Sequence, residues 1–141
     1  MKEKDVEIGF ILKLEKGEEV ISSITTFCEK RGIRGAIFSG IGAVDNFKVG
    51  YWDSERRDYF FRDESAVHEV ASMNGNVSLV EGKSFVHAHA VLSKCDASGA
   101  VIAGHVKEAR VAVTLEVFLT SLPTPLAREM DNSIGLKLLS I

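Results

Sequence analysis

Cysteine and proline are scarce in these 141 residues, with two of each. Cys28 and Cys95 lie far apart and give neither a disulfide framework nor a local redox motif, and they suit a reducing compartment. Both prolines, Pro123 and Pro125, fall together, so no proline interrupts the long central part of the chain. An excess of basic residues is also missing. Lys+Arg number 17 against Asp+Glu 20, a net charge of −3, which argues against a broad nucleic-acid groove but leaves a local basic patch open. No apolar run approaches the roughly 18 residues that span a bilayer. The first residues, M-K-E-K-D, carry no hydrophobic signal segment. The expectation is a soluble, cytoplasmic protein with no membrane partner. Internal repeats and low-complexity tracts are absent.

What is present suits a globular chain. Apolar residues make up 45% and charged residues 26%, enough to build a core and too little charge for disorder. One domain, residues 1–141, is expected. Val6, Ile8, Phe10, Leu12 and Leu14 alternate and predict a first strand. The period then changes. Val20, Ile21, Ile24, Phe27 and Cys28 recur at helical spacing, with Glu18 and Glu19 expected in the first turn, Lys30 and Arg31 in the last, and Gly32 as the C-terminal cap. Strands are expected at 33–39 and 44–52, the latter with Phe47, Val49 and Tyr51 on one face. The intervening Gly40-Ile41-Gly42-Ala43 reads as a tight turn or a close backbone approach. A charged hairpin connection follows at 53–58. Two short strands are expected on either side of an Asn74-Gly75 turn. A long β run over 108–120 would place Val111, Val113, Leu115, Val117 and Leu119 together. Residues 126–131 read as a short turn or helix, and 135–141 as an edge strand or packed tail. One principal helix among many strands defines an α+β chain with a mainly antiparallel, sandwich or barrel-like sheet.

Chemistry concentrates between Gly82 and His105, which holds three of the four histidines. His87 and His89 are spaced two apart, so in a strand they share one face with Cα atoms about 7 Å apart. A hairpin centred on Ala97 places His105 opposite His89, close enough to touch. A one-residue slip would turn it away. Three imidazoles suit Zn2+ or another divalent transition metal, and they leave a position open for water or a substrate oxygen. The alternative is that they serve only as hydrogen-bonding groups in the sheet or at a subunit contact. His68, among polar neighbours, reads as an ordinary surface or edge histidine.

Other groups compete for a role. Glu116 lies on the face opposite Leu115 and Val117, as an acid–base candidate or a solvent-facing residue. Arg34 is a candidate for orienting an anion, and Ser39 invites comparison with a nucleophile. Neither a G-x-S-x-G elbow nor a phosphate loop accompanies them. The basic fragment Lys30-Arg31-Gly32-Ile33-Arg34-Gly35 reads as a helix end running into a strand.

The motifs Leu14-x-x-Gly17-Glu18, Gly40-Ile41-Gly42-Ala43, Gly75-Asn76-Val77-Ser78, His87-x-His89 and Gly104-His105 are carried by this sequence together. In them the chain resembles the plants-and-prokaryotes conserved (PPC) domain over about residues 9–122. The resemblance implies an α/β sandwich or barrel-like sheet with one main helix, a homotrimer, and a binding or regulatory role with a protein partner. In plant relatives the domain accompanies AT-hooks with an Arg-Gly-Arg-Pro core. Here Arg31-Gly32-Ile33-Arg34 lacks that core, so direct DNA contact is weakly supported. The domain also resembles acetolactate decarboxylase in fold, and the three-histidine site of that enzyme carries over to His87, His89 and His105. This resemblance implies, as the alternative function, a metal-dependent lyase acting on a small oxo- or hydroxy-carboxylate. Its catalytic acid and arginine have no secure counterpart in the sequence.

Overall fold

Two strands of unusual length set the architecture of the computed structural model, which describes residues 1–6 and 9–141. In chain order, β1 (Lys2–Val6) and β2 (Gly9–Glu15) precede the helix α1 (Val20–Arg31). The long strand β3 (Ala36–Asp53) and its hairpin mate β4 (Asp58–Glu64) come next. They are followed by β5 (His68–Val80), β6 (Lys83–Lys94), the longest strand β7 (Val101–Ser121), β8 (Ala127–Asp131) and β9 (Leu136–Ser140). β3 pairs with β5 and β7, and β6 pairs with the same two, so four strands close a ring. Among the described residues every strand pair is antiparallel except β5 with β8, which meet in parallel at Leu79 and Ala127. The expected α+β chain with one principal helix and a mainly antiparallel, barrel-like sheet is what folds. Of the expected first strand, Ile8 lies outside the described residues; Gly9–Glu15 forms as β2.

Alternation builds the core. Val86, Ala88, Ala90 and Leu92 of β6 face inward, with Val70, Met73 and Val77 of β5 and Leu115, Val117 and Leu119 of β7. Val20, Ile24, Phe27 and Cys28 of α1 pack into the same cluster. Each fully buried aliphatic side chain contributes about 1.5–3 kcal/mol of transfer free energy before its ordering cost. α1 begins at Val20, so Glu18 and Glu19 precede the first turn. Glu19 is the N-cap, accepting from the backbone N–H of Ile21 at 3.0 Å and Ser22 at 2.6 Å. Gly32 ends the helix at φ 65°, as the sequence suggests.

Several expectations fail for identifiable reasons. Asn74-Gly75 is not a turn; β5 runs straight through it. A Cβ on Gly75 would lie 2.3 Å from the Phe38 ring and 2.4 Å from the His87 carbonyl oxygen, so this glycine serves a close approach. Gly40–Ala43 is not a turn either, but its other reading, a close backbone approach, holds: β3 runs through it opposite extra residues in β5 and β7, and a Cβ on Gly42 would lie 2.1 Å from the Thr114 carbonyl oxygen. On β7 the matching irregularity breaks the alternation: Ala112 is buried and Val113 is 67% exposed, so Val113 leaves the expected stripe. Tyr51 likewise leaves the Phe47 and Val49 face and packs on Phe60, ring centroids 5.6 Å apart. Residues 127–131 form a strand, neither turn nor helix, because Leu136–Ser140 pairs with them.

Candidate metal centre

The outward face of β6 carries His87 and His89, since Val86, Ala88 and Ala90 take the inward one. β7 supplies the third imidazole. His89 pairs with His105 in the β6–β7 ladder, the register that a hairpin centred on Ala97 requires. Ring centroids lie 5.1 Å apart for His87 and His89, 5.0 Å for His87 and His105, and 5.5 Å for His89 and His105. One nitrogen from each ring falls within 4.8 Å of the other two. A tetrahedral centre with bonds of about 2.0–2.1 Å wants its nitrogens roughly 3.4 Å apart, so loading would draw the rings slightly together.

Electrostatics suit a ligand set. Burial pushes His87 down to about 4, with help from the Arg128 guanidinium and from His89. Burial likewise pushes His105 down to about 4, reinforced by His87, His89 and Arg128. Both rings are therefore neutral at pH 7 and keep a lone pair to donate. Nδ1 of His105 is buried with no hydrogen-bond partner. A buried polar atom left unmatched costs about 1–3 kcal/mol, and a bound cation would remove that cost. By geometry, donor type and charge state these residues fit a divalent transition metal.

Around the triad, sequence reasoning missed a second group. Arg128 of β8 donates from Nε to Ser78 Oγ at 2.9 Å and from Nη1 to the Lys137 carbonyl at 3.0 Å. Its Nη2 donates to Asn76 Oδ1 at 3.0 Å and to His87 Nδ1 at 3.2 Å. Its guanidinium also covers the Phe85 ring at 5.3 Å. Tyr59 of β4 lies 4.8 Å from the His105 ring, and burial raises its phenol. Between these groups and β9 lies a cavity of about 380 Å3. In the sequence Arg128 falls in the segment read as a short turn or helix, which gives it no signal as a site residue. Its approach to His87 depends on the parallel contact between β8 and β5.

The other candidates lie elsewhere. Glu116 is exposed on β7, between Lys13 and Ile41 in register, which is its solvent-facing reading. Arg34 is exposed, and its backbone carbonyl accepts from Leu126 N–H. Ser39 is exposed between Phe118 and Asn74. No carboxylate joins the three-histidine cluster among the described residues. His68 is not a surface residue. It is 3% exposed, donates from Nδ1 to the Ala66 carbonyl at 3.0 Å, and meets the Phe47 ring edge-on at 4.8 Å. Its inward place in the alternation with Val70 overrides its polar neighbours. Cys28 and Cys95 are free; burial pushes the Cys28 thiol up to about 12. Arg31, from the basic fragment, pairs with Glu3 and covers the Phe10 and Phe27 rings.

A closed, mainly antiparallel sheet with one helix and an outward histidine triad defines the class, an α+β domain with a candidate metal centre. The chain belongs to the Plants and Prokaryotes Conserved (PCC) domain family, whose model matches residues 1–123. It is similar to a PPC protein of Pyrococcus horikoshii, at 36% identity over 93% of this chain and 90% of that one, TM-score 0.84. A metal-containing protein of Archaeoglobus fulgidus is 33% identical over the full length of both chains, TM-score 0.85. A protein of Ralstonia eutropha described as a DNA-binding candidate is 25% identical over 99% and 96% of the two chains, TM-score 0.90. No curated protein is similar enough to match. The family and these neighbours support a binding or regulatory module. No helix among the described residues is long and apolar enough to cross a membrane.

Proposed function

We propose that this chain is a cytoplasmic, homotrimeric PCC-type binding or regulatory module that holds a divalent transition metal, zinc or a close chemical relative, on His87, His89 and His105. The observation that carries the reading is the convergence of three imidazole nitrogens within 4.8 Å. The metal-containing neighbour from Archaeoglobus supports it. Bound there, the ion would polarise an oxygen donor at its remaining position. The chain's own residues position it: the β6–β7 ladder holds His89 against His105, and Tyr59 screens the His105 side.

Trimer formation is supported by exposed apolar side chains on the outward surface of the sheet. Ile37, Ile41 and Phe118 are 53%, 54% and 49% exposed, and Ser39 beside Phe118 pairs with Asn74, which pairs with His89. Light scattering checks this: a mass three times the 15.4 kDa chain is expected, and a monomer contradicts it. With Arg31 engaged and the net charge at −3, association with DNA is better supplied by a partner protein than by direct contact. Direct electrostatic binding would appear as strong affinity at low salt that falls steeply with added salt.

Arg128 favours a second reading, a metal-dependent lyase acting on a small oxo- or hydroxy-carboxylate, because a guanidinium beside the triad could orient an anionic substrate. Metal analysis of tag-free protein tests the main reading. About one ion per chain is expected, lost on replacing any of the three histidines. Metal-free protein that takes up no added Zn2+ or Co2+ would contradict it.

A further inference from the structure

Arg128 and a metal ion need the same part of His87. A guanidinium only donates, so the 3.2 Å contact from Nη2 makes His87 Nδ1 the acceptor. A neutral imidazole has one lone pair for coordination, and here Arg128 holds it. Coordination through Nδ1 displaces the guanidinium directly. Coordination through Nε2 requires the hydrogen on Nδ1, which then faces a donor. Either way, loading the histidines costs the Arg128–His87 bond. The bonds to Ser78, Asn76 and the Lys137 carbonyl keep the guanidinium in place, with its released N–H directed at the site.

The adjoining cavity, about 380 Å3, is walled by Tyr59, Phe85, Met130, Leu136 and Leu138. Most of this wall and Arg128 itself come from β8 and β9, beyond residue 123, where the family match ends. Planar guanidinium chemistry recognises carboxylate and phosphate alike. The aromatic and aliphatic wall suits the carboxylate of a molecule with an apolar body. Resting on the metal reading above, we propose that Arg128 passes from His87 to the carboxylate of a small, apolar-bodied ligand when the histidines are loaded, so that ion and ligand bind cooperatively. The coupling is reciprocal, since each must raise the affinity of the other by the same factor.

The test is a Co2+ titration of wild-type protein, R128M and R128K, followed by visible absorption, alone and with phenylacetate, acetate or inorganic phosphate. Wild type should bind Co2+ about tenfold tighter in phenylacetate, the size expected for a charged hydrogen bond gained. Acetate should do less and phosphate nothing. R128M should bind Co2+ tighter than wild type without ligand and respond to none of the three. R128K, which keeps the charge but cannot bridge the same partners, should also lose the phenylacetate response. Should R128M fail to fold, the wild-type series and R128K decide. Wild-type Co2+ binding indifferent to phenylacetate would overturn the proposal and leave the metal site standing. No Co2+ binding by wild type in any buffer would overturn both.

Discussion

His89 and His105 face each other across the β6–β7 ladder, close enough for their rings to sit 5.5 Å apart. They are brought together by a hairpin, and the third ligand follows from strand parity, since His87 shares the face of His89. The site is therefore assembled from two adjacent strands of one chain.

The fourth histidine should behave differently. His68 is buried against Phe47 and bonded to the Ala66 carbonyl. Replacing it with alanine is predicted to cost about 2–4 kcal/mol of stability through cavity formation and lost packing. Metal stoichiometry should not change. Urea denaturation and metal analysis of H68A check the two halves separately, and a loss of metal from a folded variant would contradict the assignment.

Gly75 links the fold to the site. A methyl group there meets both the Phe38 ring and the His87 carbonyl oxygen. G75A is predicted to lose about 2–4 kcal/mol and to weaken metal binding, because β5 must move away from β6 beside His87. An S39A change on the exposed face should stay within about 0.5 kcal/mol of wild type. Equal stability of G75A and S39A would refute the close approach.

The metal-free protein should lose stability in mild acid. His87 and His105 sit near 4 in the folded chain against an ordinary 6.5. As pH falls below 6.5 the unfolded chain takes up protons that the folded one refuses, so the contribution is complete above 6.5 and gone by about 4. Urea midpoints measured in chelator between pH 7 and 4.5 should fall. An H87N/H105N variant should show a shallower decline. Identical slopes would show that these two rings do not carry the effect.

Much of this was legible from the residues. Strand parity and one turn centre fix the triad, because β geometry is periodic and the hairpin between Lys94 and Val101 is local. The helix and its Gly32 cap follow from a change of period for the same reason. What failed depends on distant contacts. Asn74-Gly75 has the composition of a turn, yet Phe38 from β3 makes it a close approach. The register shift that exposes Val113 arises where β7 carries extra residues opposite Gly42 and Val44 of β3; the glycines of β3 mark the close approach, but nothing in the sequence of β7 marks its extra residues. Arg128 reaches His87 only because β8 docks on β5, and no local pattern encodes that docking.

The most direct test of the central claim is native mass spectrometry of tag-free protein, wild type beside H87A, H89A and H105A, after equilibration with one equivalent of Zn2+ per chain. One retained ion per wild-type chain is predicted. Each variant should remain folded but lose affinity by more than about a hundredfold, since removing a ligand must exceed the 10–100-fold typical of its supporting partners. Wild-type chains without an ion, or variants that retain it as wild type does, would contradict a metal centre at these three histidines.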